Sequence, residues 1–207
     1  MNFVTLVSDI QSFMEDDGTE FVAAIPTIIT QAEEIIFQRL PNLPCFRSLS
    51  TGNLVQGTAD YTIANARMIR QVSITISNVQ SYLDHRVDSY LRDYWPNSTL
   101  QGTPEMYSTK NATTSGTIIT LAPTPDAVIS HQVDFIAPET GLSSGNANSW
   151  IGDNAENLLL SACLYESSAF LKAPETLNLY KAQFDEAVQL FQQQMARDYT
   201  AEYNGGI

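Results

Sequence analysis

The chain is poor in basic residues. Lysine and arginine number 10 among 207 residues, whereas aspartate and glutamate number 23, which gives a formal net charge of −13. Nucleic acids and anionic membranes both attract proteins through cations that pair with phosphates. The composition therefore argues against stable DNA binding and against attachment to an anionic membrane surface.

Cysteine and long apolar runs are scarce as well. Cys45 and Cys163 lie far apart in the sequence. We predict two buried, reduced thiols, because free cysteine is commonly buried and cytoplasmic chains rarely keep disulfides. No apolar run approaches the roughly 20 residues of a membrane-spanning helix, and Met1–Thr5 lacks the basic start of a signal peptide. We therefore expect synthesis in a cytoplasm and no membrane partner.

The C-terminal part of the chain has the clearest helical periodicity. Between Asp153 and Tyr203, apolar residues recur at steps of three and four, which predicts two amphipathic helices. Asp153 is the predicted N-cap of the first helix, with Glu156 completing a capping box. Pro174 is predicted to end that helix and to begin the second. The apolar faces comprise Leu158, Leu159, Ala162, Tyr165, Ala169 and Phe170 in the first helix, and Leu177, Tyr180, Phe184, Val188, Phe191 and Met195 in the second.

The N-terminal part supplies the apolar faces that these two helices need. One short helix is predicted over residues 3–15. An interior proline costs a helix about 3 kcal/mol, so we place Pro26 at the start of the next helix, which continues to Leu40. The two ends of the chain, residues 1–45 and 150–200, are thus predicted to form one helical bundle.

The middle of the chain changes from helical to alternating periodicity. Strands are predicted over residues 59–63, 68–77, 105–109, 117–121 and 128–136, with a brief helix from Asp84 to Tyr94 that Asp84 caps. The predicted fold class is α+β, a helical bundle of N- and C-terminal helices with a β-rich antiparallel insertion over residues 46–149.

One short motif matches the pattern of a hydrolase. Gly141-Leu142-Ser143-Ser144-Gly145 fits the Gly-x-Ser-x-Gly nucleophile elbow. The elbow needs a strand directly before the serine, a helix directly after it and a histidine later in the chain. Here loop-forming residues follow Ser143, and both histidines, His85 and His131, precede it. The catalytic interpretation is the weaker one.

Other chemical motifs are equally sparse. Asp84, His85 and Asp88 could lie on one helical turn as metal ligands, but a capped, solvated turn is the favoured explanation. The sequence has no Gly-rich phosphate loop and no cluster of cysteine and histidine. We therefore expect a protein without enzymatic activity, with no catalytic residue, no metal and no cofactor.

Four aromatic residues lie close together in the sequence, namely Tyr82, Tyr90, Tyr94 and Trp95. Stacking on single-stranded nucleic acid needs a basic groove, and the nearby Arg86 and Arg92 are offset by Asp84, Asp88 and Asp93. Packing in the core or at a subunit interface is the favoured interpretation, since aromatic residues commonly anchor protein interfaces.

Three blocks of residues follow one another between about residue 20 and residue 195. They are Ile25–Ile29 with Ala32-Glu33 and Arg39-Leu40; Tyr94-Trp95-Pro96 with Gly102-Thr103-Pro104, Tyr107 and Leu121–Pro125; and the helix from Asn154 to Lys172 with the long helix after it. In order and spacing they resemble the head-to-tail adaptor proteins of tailed bacteriophages, in particular the tail tubular protein A type. One departure is Ala64-Asn65, where such proteins often carry a proline.

The resemblance implies a structural protein of the virion, in the neck or tail of the phage. Twelve copies would form a ring that joins the portal protein to a lower tail component, a nozzle or tail tube. Genomic DNA would pass through the central channel during ejection. Structural roles are implied for the motif positions Pro26, Trp95, Pro96, Gly102, Pro104, Tyr107, Pro123 and Pro125.

In such adaptors the C-terminal segment reaches into the portal. On this chain the corresponding segment is an extended tail over residues 198–207, with portal-binding roles expected for Asp198, Tyr199, Tyr203, Gly205, Gly206 and Ile207. Two alternatives remain open. One is a tail-assembly or head-completion factor that forms no ring, and the other, more distant, is a small hydrolase that uses Ser143 or a pair of carboxylates.

Overall fold

A computed structural model of the protein describes residues 1–111 and 116–204, with the backbone alone from residue 198 onwards. The chain divides into a helical unit, Met1–Cys45 with Glu139–Ile207, and a β-rich unit, Phe46–Pro138. The α+β class is as predicted. The loop from Glu139 to Ser149, which the sequence analysis assigned to the insertion, belongs to the helical unit.

The helical unit contains five of the six α-helices in the described residues. Helix α5 packs against α6, α2 and α1. The fully buried side chains of the helical unit include Leu6, Ile10, Ile25, Ile29, Ile36, Leu159 and Phe184. The helices are α1 (Phe3–Met14), α2 (Thr19–Arg39), α4 (Trp150–Asn154), α5 (Glu156–Phe170) and α6 (Pro174–Asn204), and α3 (Asp88–Tyr94) lies in the β-rich unit.

The predicted helix start at Pro26 is wrong, because α2 is continuous from Thr19 to Arg39 with Pro26 inside it. The apolar face explains why the helix tolerates the proline. Phe21 and Ile25 before it and Ile28 and Ile29 after it are all buried at helical spacing. Burying this continuous face outweighs the loss of one backbone hydrogen bond on the exposed side, where Pro26 lies.

The helix boundary at Pro174 is confirmed, since α5 ends at Phe170 and α6 begins at Pro174. The predicted N-cap at Asp153 is wrong. Asp153 lies inside α4, whose N-cap Ser149 accepts from the Gly152 amide at 3.1 Å. The predicted apolar face of α5 is correct at Leu158, Leu159 and Ala162. Toward its C-terminus, Leu164, Ser167 and Ser168 are buried in place of Ala169 and Phe170.

The extended tail predicted from residue 198 is also wrong as far as Asn204, because α6 continues to that residue. No glycine or proline interrupts the chain between Glu175 and Asn204, so nothing in the sequence ends the helix earlier. The side chains of Asp198, Tyr199 and Tyr203, and the whole of Gly205, Gly206 and Ile207, lie outside the described residues.

The β-rich unit contains two four-stranded sheets and one short pair of strands. The first sheet, sheet A, has the order β1-β10-β3-β4, and the second, sheet B, has the order β2-β8-β7-β5. Pairing is antiparallel except between β5 and β7 and between β6 and β9. Sheet A consists of β1 (Arg47–Leu54), β10 (Ile129–Ile136), β3 (Met68–Ile76) and β4 (Val79–Tyr82); sheet B of β2 (Asp60–Ala64), β8 (Gly116–Ala122), β7 (Met106–Asn111) and β5 (Asp84–His85); and the pair of β6 (Gln101–Gly102) and β9 (Thr124–Pro125).

The sheets bury one hydrophobic core between them. Sheet A contributes Leu54, Val72, Ile74 and Val133. The remaining side chains of this core include Ile63, Tyr107, Ile119 and Leu121 from sheet B. The five strands predicted from alternating periodicity all exist, with boundaries shifted by one or two residues.

In this unit one local prediction is wrong and one strand was not predicted. Asp84 does not cap a helix: it lies in β5, and α3 begins four residues later after Val87. Strand β1 was not predicted, because Arg47–Leu54 contains no β-branched residue except Thr51 and includes Gly52. That glycine lies opposite His131 in the register of β1 and β10. A Cβ atom on Gly52 would lie 3.0 Å from the imidazole of His131, so the neighbouring strand requires the glycine.

Replacing Pro26 with alanine should stabilise the helical unit, because the new amide can donate inside a helix that is already continuous. We expect Pro26→Ala to raise the free energy of unfolding by about 1 to 3 kcal/mol. Urea unfolding followed by circular dichroism measures this change. Thr27→Ala, an exposed neighbour, is the control and should change stability by less than about 0.7 kcal/mol. A decrease for Pro26→Ala would contradict a continuous α2.

Candidate functional site

Several motif positions meet in one cluster of the β-rich unit. Trp95 follows α3, and its indole N–H donates to the Leu100 carbonyl at 3.0 Å. Gly102 pairs with Pro125 between β6 and β9. A Cβ atom on Gly102 would lie 3.2 Å from Cβ of Pro123 and 4.0 Å from the Trp95 ring, so the glycine allows these rings to approach. We call Trp95, Gly102, Pro123 and Pro125 the proline cluster.

Backbone and hydroxyl hydrogen bonds tie two loops to the proline cluster. The Thr124 hydroxyl donates to the Ser98 carbonyl at 3.0 Å, and the Gly57 amide donates to the Pro125 carbonyl at 2.8 Å. The remaining motif positions are placed differently. Pro104 and Tyr107 are buried in the same unit, Pro96 is exposed, and Pro26 lies in the helical unit.

A network of charges lies beside the proline cluster, in a groove of 480 Å³. Asp88 accepts from Arg92 at 2.7 Å and lies 3.9 Å from the Lys110 ammonium, which is 3.5 Å from Asp60. The hydrogen bond from Arg92 lowers the pKa of Asp88. The charges of this groove therefore balance one another.

The aromatic residues around α3 lie at the surface of their unit. Tyr90 and Tyr94 are stacked with ring centroids 6.4 Å apart. The Arg86 guanidinium lies 5.5 Å from the Tyr90 ring, and both tyrosines and Tyr82 are at least two-fifths exposed. Core packing is thus wrong for these three tyrosines. A subunit interface stays a prediction.

Two carboxylates hold the loop from Glu139 to Ser149 in the helical unit. Glu33 on α2 accepts from the Leu142 amide at 2.9 Å. Glu139 accepts from the Trp150 and Ile151 amides, at 3.0 and 3.2 Å, at the start of α4. Burial raises the pKa of Glu33 to about 7; the Leu142 amide opposes this shift and the charge of Glu139 adds to it. Sequence reasoning assigned no role to either residue.

Ser143 does not have the geometry of a nucleophile elbow. It forms a tight turn with Asn146, whose amide donates to the Ser143 hydroxyl at 3.1 Å. The nearest following helix, α4, begins only at Trp150. A strand-to-helix turn at the serine is what positions the nucleophile in such hydrolases. The Gly-x-Ser-x-Gly match is therefore a loop sequence.

The acidic residues of the suggested metal site face cations instead. Asp84 pairs with Arg86 at 3.3 Å, Asp88 pairs with Arg92, and the His85 ring contacts the Thr109 hydroxyl at 3.4 Å. In the part of the chain that the structure describes, no group of three or more side chains is arranged to hold a metal ion. Every helix in that part is too short or too polar to cross a lipid bilayer.

The negative charge of the chain is concentrated in one unit. The helical unit has 16 acidic and 4 basic residues, a formal balance of −12, whereas the β-rich unit has 7 acidic and 6 basic residues, a balance of −1. Such an excess keeps a surface from binding polyanions. The helical unit therefore accounts for nearly all of the net negative charge of the chain.

The chain thus consists of a helical unit with a β-rich insertion. Residues 1–205 match the family described as SU10 adaptor protein, and the chain belongs to that family. A search of curated proteins found no match. The protein is thus a phage adaptor. Membership indicates a structural role at the virion neck, and the resemblance to phage adaptors is confirmed at the level of this class.

Adding a methyl group at Gly102 should disturb the proline cluster. Because the new Cβ would lie against the rigid ring of Pro123, we expect Gly102→Ala to destabilise the β-rich unit by about 1 to 3 kcal/mol. Urea unfolding followed by the fluorescence of Trp95, with Trp150 replaced by phenylalanine in both the variant and the reference, measures the loss. Gly145→Ala is the matched control, since its Cβ would meet only the Ser143 hydroxyl at 3.9 Å. Equal effects of the two substitutions would contradict tight packing at Gly102.

Neutralising Glu33 should change how stability depends on pH. The folded protein raises the pKa of Glu33 from 4.5 to about 7, so the wild type loses stability as the pH rises between these values, when the buried carboxyl ionises. Glu33→Gln keeps an acceptor for the Leu142 amide. We expect the variant to gain about 1 to 3 kcal/mol over the wild type above pH 7 and little below pH 4.5.

Urea unfolding at pH 4, 5, 6, 7 and 8 measures this difference. Glu34→Gln is the control for the loss of one charge, because Glu34 is the neighbouring carboxylate of the same helix and accepts from Gln38. If the stability difference between Glu33→Gln and the wild type does not grow with pH, ionisation of the buried Glu33 carboxyl does not destabilise the folded protein.

Proposed function

We propose that twelve copies of this protein form a ring in the phage neck. The ring joins the portal protein to a lower tail component, a nozzle or tail tube, and surrounds a channel through which genomic DNA leaves. Membership of the adaptor family supports the joining role. The observation that carries the rest of the proposal is the concentration of negative charge in the helical unit.

The charge suits a channel that DNA must cross without sticking. Twelve copies would carry a formal charge of roughly −156, twelve times the −13 of one chain, beside a duplex with one phosphate per ~1.7 Å. A basic channel would bind the phosphates and slow ejection, whereas an acidic one repels them. We assign the channel wall to the helical unit, since the β-rich unit is nearly neutral.

The end of α6 is the part of the helical unit that we assign to the portal. Phe184, Val188 and Phe191 are buried within the unit, but from Gln192 to Arg197 only Met195 is partly buried. The helix then continues to Asn204. A helix that outlasts its own buried face offers its last turns to another chain. The portal-binding residues proposed there remain Asp198, Tyr199, Tyr203, Gly205, Gly206 and Ile207.

A tail-assembly or head-completion factor that is absent from the mature particle is the alternative. It shares the family membership but predicts no ring. A hydrolase is not favoured, because Ser143 lies in a tight turn. Electron microscopy of purified particles separates the candidates: a twelve-fold ring of this chain below the portal supports the proposal, and particles without the chain support an assembly factor.

Removing residues 198–207 should prevent stable attachment of tails. We expect particles made with the chain ending at Arg197 to package DNA and to lack tails by electron microscopy, because the portal contact is lost while the buried face of α6 is kept. A chain that ends at Asn204 and lacks only Gly205–Ile207 separates the contribution of the helical turns from that of the last residues. Circular dichroism verifies folding of both variants. Normal tails on particles with the shorter chain would refute the portal-binding role.

A further inference from the structure

One end of sheet A combines exposed apolar and basic side chains on one face. Arg47 and Leu49 alternate along β1 and so point to the same side of that strand. Met68 pairs with Ile136, which also pairs with Arg47, so Met68 lies on that side too. Arg70 lies at the register shift between β3 and β10. Arg47, Leu49 and Arg70 line a common depression of 400 Å³ together with Asp134. Leu49 and Met68 are more than half exposed. We call Arg47, Leu49, Met68 and Arg70 the basic end.

The arginines of the basic end differ from other cations of the β-rich unit. Arg86, Arg92 and Lys110 form ion pairs with aspartates. Arg47 and Arg70 are exposed and form no ion pair within the described residues. Arginine beside exposed aliphatic side chains is the composition of a protein interface.

The helical unit has a groove of the opposite character. Helices α1, α5 and α6 enclose a volume of 590 Å³, which we call the acidic groove. Its apolar lining includes Phe13 and Leu190, both more than half exposed. Glu156 and Glu186 are its only charged lining residues among those described, and no lysine or arginine lines it. Glu156 lies 3.9 Å from the Met1 amino group, whereas Glu186 has no ion pair among the described residues.

We infer that the basic end of one copy binds in the acidic groove of the next copy. The inference rests on the proposed ring and adds the surfaces that build it. Two helical units repel each other, because each has a balance of −12. Contact between the basic end and the acidic groove avoids this repulsion. It also places Leu49 and Met68 against the apolar lining of that groove. An interface between two different patches of one chain is heterologous, the kind that generates closed rings.

Cysteine cross-linking in purified particles tests the pairing. Particles carrying Leu49→Cys with Leu190→Cys are oxidised and their proteins are separated without reductant. Cys45, which is partly exposed, is replaced by serine in every variant, whereas Cys163 is buried and is kept. A heterologous contact gives a ladder of monomer multiples up to twelve, because every copy is linked to two neighbours. The two single-cysteine variants are the controls and should give no ladder. A band that stops at the dimer, or a link to a different virion protein, would overturn the inference.

Charge reversal tests the electrostatic part. We expect Arg47→Glu with Arg70→Glu to reduce the yield of tailed particles about tenfold or more, and Glu186→Arg to restore much of it in the combined variant. Lys172→Glu with Lys181→Glu makes the same change of net charge on the helical unit and should have a smaller effect. Equal losses for both double variants, or no rescue by Glu186→Arg, would contradict the pairing.

Two further outcomes keep the inference and the proposed function distinguishable. A twelve-fold ring that persists in the Arg47→Glu and Arg70→Glu particles would refute this interface and leave the ring intact. Wild-type particles without any ring would refute the proposed function itself. Binding of a short DNA duplex by the isolated protein, lost on the same double substitution, would assign the basic end to DNA and overturn the inference.

Discussion

The packing of α5 against α2 and α6 holds the helical unit together, and it joins segments that the whole β-rich unit separates in sequence. The cost of closing so long a loop grows only slowly with its length. It falls further because β1 and β10, the first and last strands of the insertion, pair along their full lengths from Arg47 with Ile136 to Leu54 with Ile129. The Ala137 amide donates to the Phe46 carbonyl at 2.9 Å and extends this pairing by one step. The insertion therefore delivers the chain back beside the point where it left.

Carboxylates serve two purposes in this protein. Most of the acidic residues of the helical unit give it a repulsive surface. Glu33 and Glu139 instead accept backbone hydrogen bonds from the loop before α4. Burial removes water from the Glu33 carboxylate, which is why its pKa rises, whereas the hydrogen bond from Arg92 lowers the pKa of Asp88. The same residue type thus ionises less readily where burial dominates its surroundings and more readily where a cation donates to it.

The sequence predicted the elements in which the spacing of apolar side chains shows which face is buried. The apolar stripe of α6 was read correctly at Phe184, Val188 and Phe191, because one periodic face is buried. The helix start predicted at Pro26 was wrong, because the low helix propensity of proline opposed a helix that burial of Phe21 and Ile25 stabilises. Strand β1 was missed because Gly52 makes room for His131, which lies 79 residues later in the sequence (131 − 52). Single-sequence patterns contain no record of such a partner.

The candidate surfaces were harder still to find from the sequence. The order of the motif blocks indicated the adaptor class, and in the structure Trp95, Gly102 and Pro123 of those blocks lie against one another. The acidic groove and the basic end, in contrast, each combine residues from distant segments, and only the fold brings Phe13 near Leu190 or Arg47 near Arg70. The charge of the whole chain was legible, but its separation into a −12 unit and a −1 unit required the domain boundary.

The paired base formed by β1 and β10 makes the insertion a cassette. The insertion begins and ends on neighbouring strands about 4.8 Å apart. A loop of the helical unit can therefore contain the insertion without being stretched. A different β-rich module with the same base could replace it and leave the helical framework unchanged.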